Sequence, residues 1–98
     1  MLKQFTLSKF STNKVIKRLN TTNNNYTLYF YRDIDGNIYC DIDKNNEPLQ
    51  YGKKVVLEMD ILYNIQNRDI FIIPTAANES VTNVSWANIE DIEFIYLY

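Results

Sequence analysis

The stretch that decides the fold is YTLYFYRDIDGNIYCDID, residues 26–43, in which two alternating segments flank the pair Asp35-Gly36. An Asp-Gly pair between alternating runs is a strong local signal for a β-hairpin, because glycine accepts the positive φ that tight hairpin turns require. The same stretch contains four aspartates. A calcium-binding loop is therefore the alternative that has to be weighed.

The spacing of the aspartates does not suit calcium. A loop of the EF-hand type needs glycine at its sixth position and a bidentate glutamate at its twelfth. Counted from Asp33, the sixth position is Ile38 and the twelfth is Lys44. The stretch therefore predicts a hairpin turn with acidic edges, and we predict no metal site in it.

The register of this hairpin decides which side chains share a face, since a slip of one residue turns every side chain over. A two-residue loop pairs Ile34 with Asn37 and mixes polar and apolar residues. A three-residue loop with Gly36 left-handed pairs Arg32 with Ile38 and separates the two chemistries, so we favour it. Its apolar face carries Leu28, Phe30, Ile38, Cys40 and Ile42. Its opposite face carries Tyr29, Tyr31, Tyr39, Asp41 and Asp43.

The rest of the chain also favours strands. The segments concerned are residues 3–10, KVIKRL at 14–19, residues 55–65, RDIFIIP at 68–74, VSW at 84–86 and IEDIEFIYLY at 89–98. Residues 55–65 fit a helical stripe as well, but their alternation and β-branched content favour a strand. Pro74 is expected to end its strand. We expect one all-β domain over residues 1–98, a small antiparallel barrel or sandwich of about six or seven strands with room for one short helix.

Composition lowers the expectation of catalysis. Histidine is absent and Cys40 is the only cysteine. These facts exclude an internal disulfide, a multi-cysteine zinc site and every histidine-activated nucleophile. Cys40 lies on the apolar hairpin face and is predicted to be a buried core thiol. We therefore predict no enzyme and no cofactor.

Charge is distributed unevenly along the chain. Residues 1–32 contain six cations and no acid, whereas residues 33–98 contain four cations and all 12 acids, which accounts for the net charge of −2. The basic N-terminal third includes a candidate basic patch of Lys14, Lys17 and Arg18. Such a patch suits either nucleic-acid phosphates or charge-assisted assembly with acidic protein surfaces. The pI of about 5.0 makes nucleic acid the less favoured partner.

The polar hairpin face is the main candidate for protein interaction. Tyrosine combines a large contact area with a hydroxyl and is enriched in interfaces. We therefore predict a protein-interaction site formed by Tyr29, Tyr31, Tyr39, Asp41 and Asp43. The alternative is that a second sheet or a loop covers this face, or that the tyrosines only reinforce pairing across strands.

These observations favour a non-enzymatic interaction or structural module that docks on a larger protein assembly or forms a homo-oligomer. The chain is rich in Asn, Ile, Lys and Tyr, whose codons are AT-rich, which suggests an AT-rich genome. Within this class of protein, we predict an accessory capsid or tail protein of a phage. The alternatives are a small inhibitor of a host enzyme and a nucleic-acid-binding small barrel. The sequence shows no secretory signal and no run of roughly 20 apolar residues, so we expect no membrane contact. We expect the protein to be located in the cytoplasm or in a virus particle assembled there.

Overall fold

A computed structural model describes residues 2–9 and 14–98, and within them it shows seven strands and one 3-10 helix. The strands are β1 (Leu2–Thr6), β2 (Val15–Asn20), β3 (Asn25–Arg32), β4 (Ile38–Lys44), β5 (Glu47–Lys54), β6 (Phe71–Ala76) and β7 (Ile92–Leu97), and the 3-10 helix is Trp86–Asp91. They form two antiparallel sheets, one of order β1-β7-β6 and one of order β2-β3-β4-β5. The fold is thus an all-β sandwich, which is one of the two predicted architectures; the other, a barrel, is not formed by the residues that the structure describes.

The central hairpin has the predicted register. Arg32 lies opposite Ile38, and Gly36 has a φ of +84°. Asp33 stabilises the turn, because its Oδ1 accepts the backbone N–H groups of Asp35 at 3.0 Å and Asn37 at 2.9 Å. This aspartate therefore works as a side-chain cap on the turn, which is a common use of Asp in turns.

The core lies between the two sheets and includes the whole predicted apolar face of the hairpin. The five side chains are fully buried: Leu28, Phe30, Ile38, Cys40 and Ile42. From the opposite sheet, the ring of Phe94 lies 5.1 Å from that of Phe30, and Phe5 stacks on Phe94 at 5.0 Å. Burying each such ring contributes about 1.5–3 kcal/mol. The alternation in β3 and β4 is what directs the tyrosines to the outer surface.

The prediction of a strand over residues 55–65 is wrong. β5 ends at Lys54, and residues 55–70 form a series of turns along the edge of β6. Glu58 has a φ of +64°, a left-handed conformation that a continuous strand does not contain. The apolar residues that alternate in the sequence do not share one buried face, since Met59 and Tyr63 are exposed. Val55, Ile61 and Leu62 are buried.

The loop of residues 55–70 is fastened to β6 by main-chain hydrogen bonds. The N–H of Glu58 donates to the carbonyl of Pro74 at 2.7 Å, and the N–H of Ile61 donates to that of Ile72 at 2.8 Å. Asp60 also forms an ion pair with Arg68 at 2.6 Å. These bonds replace the strand pairing that the sequence pattern suggested.

Four further expectations need correction. Pro74 does not end β6, which continues to Ala76, because the proline lies on the side of the strand where no ladder N–H is needed. Trp86 begins the 3-10 helix and does not belong to a strand. Strand β5 was not among the predicted strands, and the turn of residues 45–46 connects it to β4. Of the predicted first strand, residues 3–10, only residues 3–6 lie in β1, and residue 10 lies outside the described residues.

No helix among residues 2–9 and 14–98 has the length and apolar character needed to cross a membrane.

Candidate interaction surface

The outer face of the four-stranded sheet carries the predicted interaction residues. Tyr29 lies opposite Asp41, Tyr31 lies opposite Tyr39, and Asp43 lies opposite Thr27, so β3 and β4 bring all of them to one side. The three tyrosines are half-buried, and Asp41 is 8% exposed. No second sheet covers this face within the described residues, since the core is on its other side.

A fourth tyrosine belongs to the same surface. Tyr51 of β5 is 56% exposed, and its hydroxyl donates a hydrogen bond to Oδ1 of Asp43. A regular continuation from the Asp43–Pro48 pair would place Tyr51 opposite Cys40 and turn its ring toward the core. Register shifts between β4 and β5 turn it outward instead. We name the surface of Tyr29, Tyr31, Tyr39 and Tyr51, with Asp33, Asp41 and Asp43, the tyrosine face.

Each tyrosine hydroxyl on the tyrosine face donates to a carboxylate. Tyr31 donates to Oδ1 of Asp41 at 3.1 Å. Tyr29 donates to Oδ2 of Asp43 at 3.2 Å, on the side opposite the bond from Tyr51. Tyr39 donates to Oδ2 of Asp33, the aspartate of the hairpin turn, at 3.2 Å. The rings of Tyr31 and Tyr39 stack with their centroids 5.7 Å apart, so the aromatic part of the surface is fixed as well.

These contacts keep the hydroxyls protonated. Desolvation, followed by the hydrogen bond to Asp41, raises the pKa of Tyr31 to about 12. The hydrogen bond to Asp43, followed by desolvation, raises the pKa of Tyr51 to about 12. The pKa values of Tyr29 and Tyr39 are raised for the same reasons, with desolvation first. Across the neutral range all four hydroxyls therefore remain donors held by carboxylates.

The predicted basic patch is divided between the two faces of β2. The ammonium of Lys14 lies 3.3 Å from Oδ2 of Asp41 and 5.2 Å from the ring centroid of Tyr31, so this lysine joins the tyrosine face. Arg18 is exposed on the same side, because Arg18 and Lys14 are separated by an even number of positions. Lys17 points to the other side, where its ammonium lies 5.8 Å from the ring of Phe5. The three cations therefore do not form one surface.

A carboxylate that the sequence analysis did not single out connects the sheets. Asp69, in the turn before β6, accepts hydrogen bonds from Thr21, from the amide of Asn24 at 2.9 Å and from the phenol of Tyr26. Desolvation opposes its ionisation, but these bonds outweigh it and lower the pKa of Asp69 to about 2. No spacing rule links position 69 to positions 21–26, so only the folded chain reveals this cluster.

Cys40 and Trp86 have different surroundings. Cys40 is fully buried as predicted, and desolvation raises the pKa of its thiol. Trp86 is only half-buried. Two cations lie near its ring, with the guanidinium carbon of Arg32 at 4.1 Å and the ammonium of Lys9 at 4.9 Å from its centroid. Among the described residues, no group of three or more Cys, Asp or Glu side chains is placed to hold a metal ion.

The fold and this surface define a small all-β sandwich protein with a solvent-facing sheet of hydrogen-bonded tyrosines and aspartates. The chain belongs to the family described as cyanophage baseplate Pam3 plug gp18, whose family model matches residues 5–98. It is accordingly a structural protein of a phage virion. No curated protein matches the chain.

Proposed function

We propose that this protein is a non-catalytic part of a phage baseplate and docks onto neighbouring virion proteins through the tyrosine face. The observation that carries the proposal is the outward presentation of four tyrosines whose hydroxyls are all fixed by aspartates. The family description, a baseplate plug, supports the baseplate as the place of docking. Assembly of the particle in the cytoplasm of the host is part of the proposal.

The physical argument concerns preorganisation. Association costs free energy for every side chain that it immobilises, about 0.5–1.5 kcal/mol for each rotamer-rich one. On the tyrosine face, the hydroxyl bonds and the stacking of Tyr31 on Tyr39 fix the rings before a partner arrives. Aromatic side chains with few rotatable bonds are those that carry most of the binding energy in interfaces. This face is therefore suited to rigid docking.

The docking role is tested with two tyrosines of equal exposure. Tyr51 on the tyrosine face and Tyr63 in the loop of residues 55–70 are each 56% exposed. In the phage that encodes the protein, Tyr51→Ala is expected to lower both the amount of this protein in purified virions and the infectious titre at least tenfold. Tyr63→Ala is expected to leave both within twofold of wild type.

Circular dichroism and thermal unfolding of the purified variants provide the folding control. If Tyr51→Ala were folded and entered virions at the wild-type level, docking through the tyrosine face would be refuted. Equal losses for both variants would also refute it, because they would indicate a general effect of removing an exposed ring.

The docking partner includes a second copy of this chain. The basic end of one copy would then meet acidic groups of another, as the uneven charge distribution suggests. Light scattering after size exclusion, at low and at high salt, tests this form of assembly. A multimer that dissociates in high salt is expected, and a monomer under both conditions would restrict docking to other virion proteins.

A further inference from the structure

The three carboxylates of the tyrosine face differ in how many hydrogen bonds they accept. An ionised carboxylate offers about four lone-pair sites. Asp33 accepts four bonds, from the backbone of Asp35, the backbone and side chain of Asn37, and Tyr39. From the described residues Asp43 accepts two, one on each oxygen. Each oxygen of Asp43 therefore retains one free lone-pair site.

Asp43 also has no ion-pair partner in the part of the chain that the structure describes. Within residues 2–9 and 14–98, ion pairs join Lys14 to Asp41 and Arg68 to Asp60, and none includes Asp43. Arg18 occupies the same cross-strand row, beyond Thr27, and its charge acts on the Tyr29 phenol that bonds Asp43, but among the described residues no ion pair joins it to Asp43. Asp43 is thus a half-buried carboxylate held by two neutral hydroxyls.

Asp41, the nearest aspartate of β4 on the same face, shows which chemical group a carboxylate beside these tyrosines binds. At Asp41, the hydroxyl of Tyr31 occupies one carboxylate oxygen, and the ammonium of Lys14 lies 3.3 Å from the other. The same ammonium lies over the rings of Tyr31, at 5.2 Å, and Tyr29, at 5.8 Å. At Asp41 a Tyr–Asp pair therefore holds a cation against aromatic faces, whereas at Asp43 two tyrosines flank a carboxylate that has no ion-pair partner among the described residues.

We propose that Asp43, flanked by Tyr29 and Tyr51, receives an arginine guanidinium from another protein of the virion. This inference rests on the docking role proposed above and names the chemistry of the partner. One free site on each oxygen matches the two parallel N–H donors of a guanidinium, which binds carboxylates in a bidentate manner. The exposed ring of Tyr51 offers a surface on which the planar group stacks. The lysine ammonium is a point charge, so it forms no bidentate pair with the carboxylate and does not stack on the Tyr51 ring as a planar guanidinium does.

The site is tested by nuclear magnetic resonance with a small probe, Nα-acetyl-arginine methylamide. Titration into the labelled protein is expected to shift the signals of Tyr29, Asp43 and Tyr51 in a saturable way. The corresponding blocked lysine should bind at least threefold more weakly. Asp43→Asn should weaken the binding of blocked arginine at least fivefold, whereas Asp35→Asn, which removes an equal charge from the exposed hairpin tip, should leave it unchanged.

The outcomes separate this site from the docking role. Absent shifts, equal binding of blocked lysine and arginine, or undiminished binding by Asp43→Asn would each overturn the arginine site. So would binding that appears only in Arg18→Gln, because Arg18 itself would then be the occupant. The comparison of the two probes uses the wild-type protein and does not depend on whether a variant folds.

Incorporation of Asp43→Asn into virions is the second readout. If blocked arginine binds at Asp43 but this variant enters virions normally, the inference that the site serves the virion is wrong, while docking by other tyrosines stands. If Tyr51→Ala is excluded from virions but wild type binds no arginine, docking stands and the arginine site is refuted.

Discussion

Tyr26 and Asp69 lie 43 positions apart in the sequence, and the phenol of Tyr26 donates to Oδ1 of Asp69. Tyr26 is 1% exposed and belongs to β3, whereas Asp69 belongs to the turn before β6. The bond thus joins the four-stranded sheet to the segment that leads into the three-stranded one. Because the hydroxyl of Tyr26 is buried, loss of its acceptor on Asp69 would leave it without a hydrogen-bond partner, which costs about 1–3 kcal/mol of stability.

Asp69→Asn is therefore expected to lower the free energy of unfolding at neutral pH by about 1–3 kcal/mol, as measured by urea denaturation. Asp91→Asn, an exposed acid of the 3-10 helix, is the matched control and should change it by less than about 0.5 kcal/mol. Equal stability of the two variants would show that the Asp69 cluster does not hold the sheets together.

The same cluster predicts a dependence on pH. The pKa of Asp69 is about 2 in the folded chain, below its ordinary value of 3.8. Its stabilisation is consequently complete above about pH 4 and is lost as the pH falls from there toward 2. Wild type should lose thermal stability over this range, and Asp69→Asn should lose less, because it lacks the group. Part of the stability that Asp69→Asn still loses at low pH comes from protonation of Asp33, whose pKa is also lowered.

Gly36 is predicted to be required for its backbone conformation alone. A Cβ added there would lie 3.9 Å from the Cβ of Trp86, an ordinary contact, but φ is +84°. Gly36→Ala should therefore destabilise the protein by about 1–2 kcal/mol. Gly36→Asn should cost less, because Asn tolerates positive φ better. Urea midpoints of the two variants give the comparison, and equal losses would contradict the backbone explanation.

The thiol of Cys40 is predicted to be unreactive toward alkylating reagents in the folded protein. Burial raises the pKa of its thiol, so the reactive thiolate is scarce and reagents cannot reach it. Incubation with iodoacetamide at pH 8 should leave the native chain unmodified by mass spectrometry for hours. The urea-unfolded chain should react fully within minutes. Rapid labelling of the native chain would show that the core around Cys40 opens frequently.

Ionisation of Tyr51 tests the geometry of the tyrosine face. The hydrogen bond to Asp43 is the first cause of its raised pKa, which is about 12. Asp43→Asn should lower that pKa toward the ordinary value of 10, whereas the pKa of Tyr31, which bonds Asp41, should remain near 12. Titration of tyrosine Cζ resonances follows each ring separately. An unchanged pKa of Tyr51 would mean that its hydroxyl does not meet Asp43 in solution.

The hairpin could be predicted because its determinants are local. The Asp35-Gly36 turn and the alternation on either side fix the register, and that register places Tyr29, Tyr31 and Tyr39 opposite the core. The outward position of Tyr51 could not be predicted, because it depends on bulges in the pairing of β4 with β5. Size, composition and the lack of catalytic signatures also led to a phage virion protein, and the family match confirms that coarse assignment.

The errors have physical causes that are visible in particular residues. Alternation in residues 55–65 predicted a strand, yet Asp60 accepts hydrogen bonds from the N–H groups of Leu62 and Ile72 and folds the segment back. The alternation did not predict burial either, because Met59, which belongs to the alternating set, is exposed, and Leu62, which does not, is buried. The grouping of Lys14, Lys17 and Arg18 failed for a simpler reason, since neighbours in sequence face opposite ways on a strand.

The bonds from Glu58 and Ile61 to β6 bear on how the edge of this sheet is protected from pairing with another chain. The strand Phe71–Ala76 is mostly apolar and carries no charge. Its outward carbonyls at Ile72 and Pro74 are already occupied by the loop, and Pro74 has no N–H to offer. These bonds leave fewer main-chain groups along this edge for a strand of another chain. The loop of residues 55–70 therefore limits edge-to-edge pairing of β6.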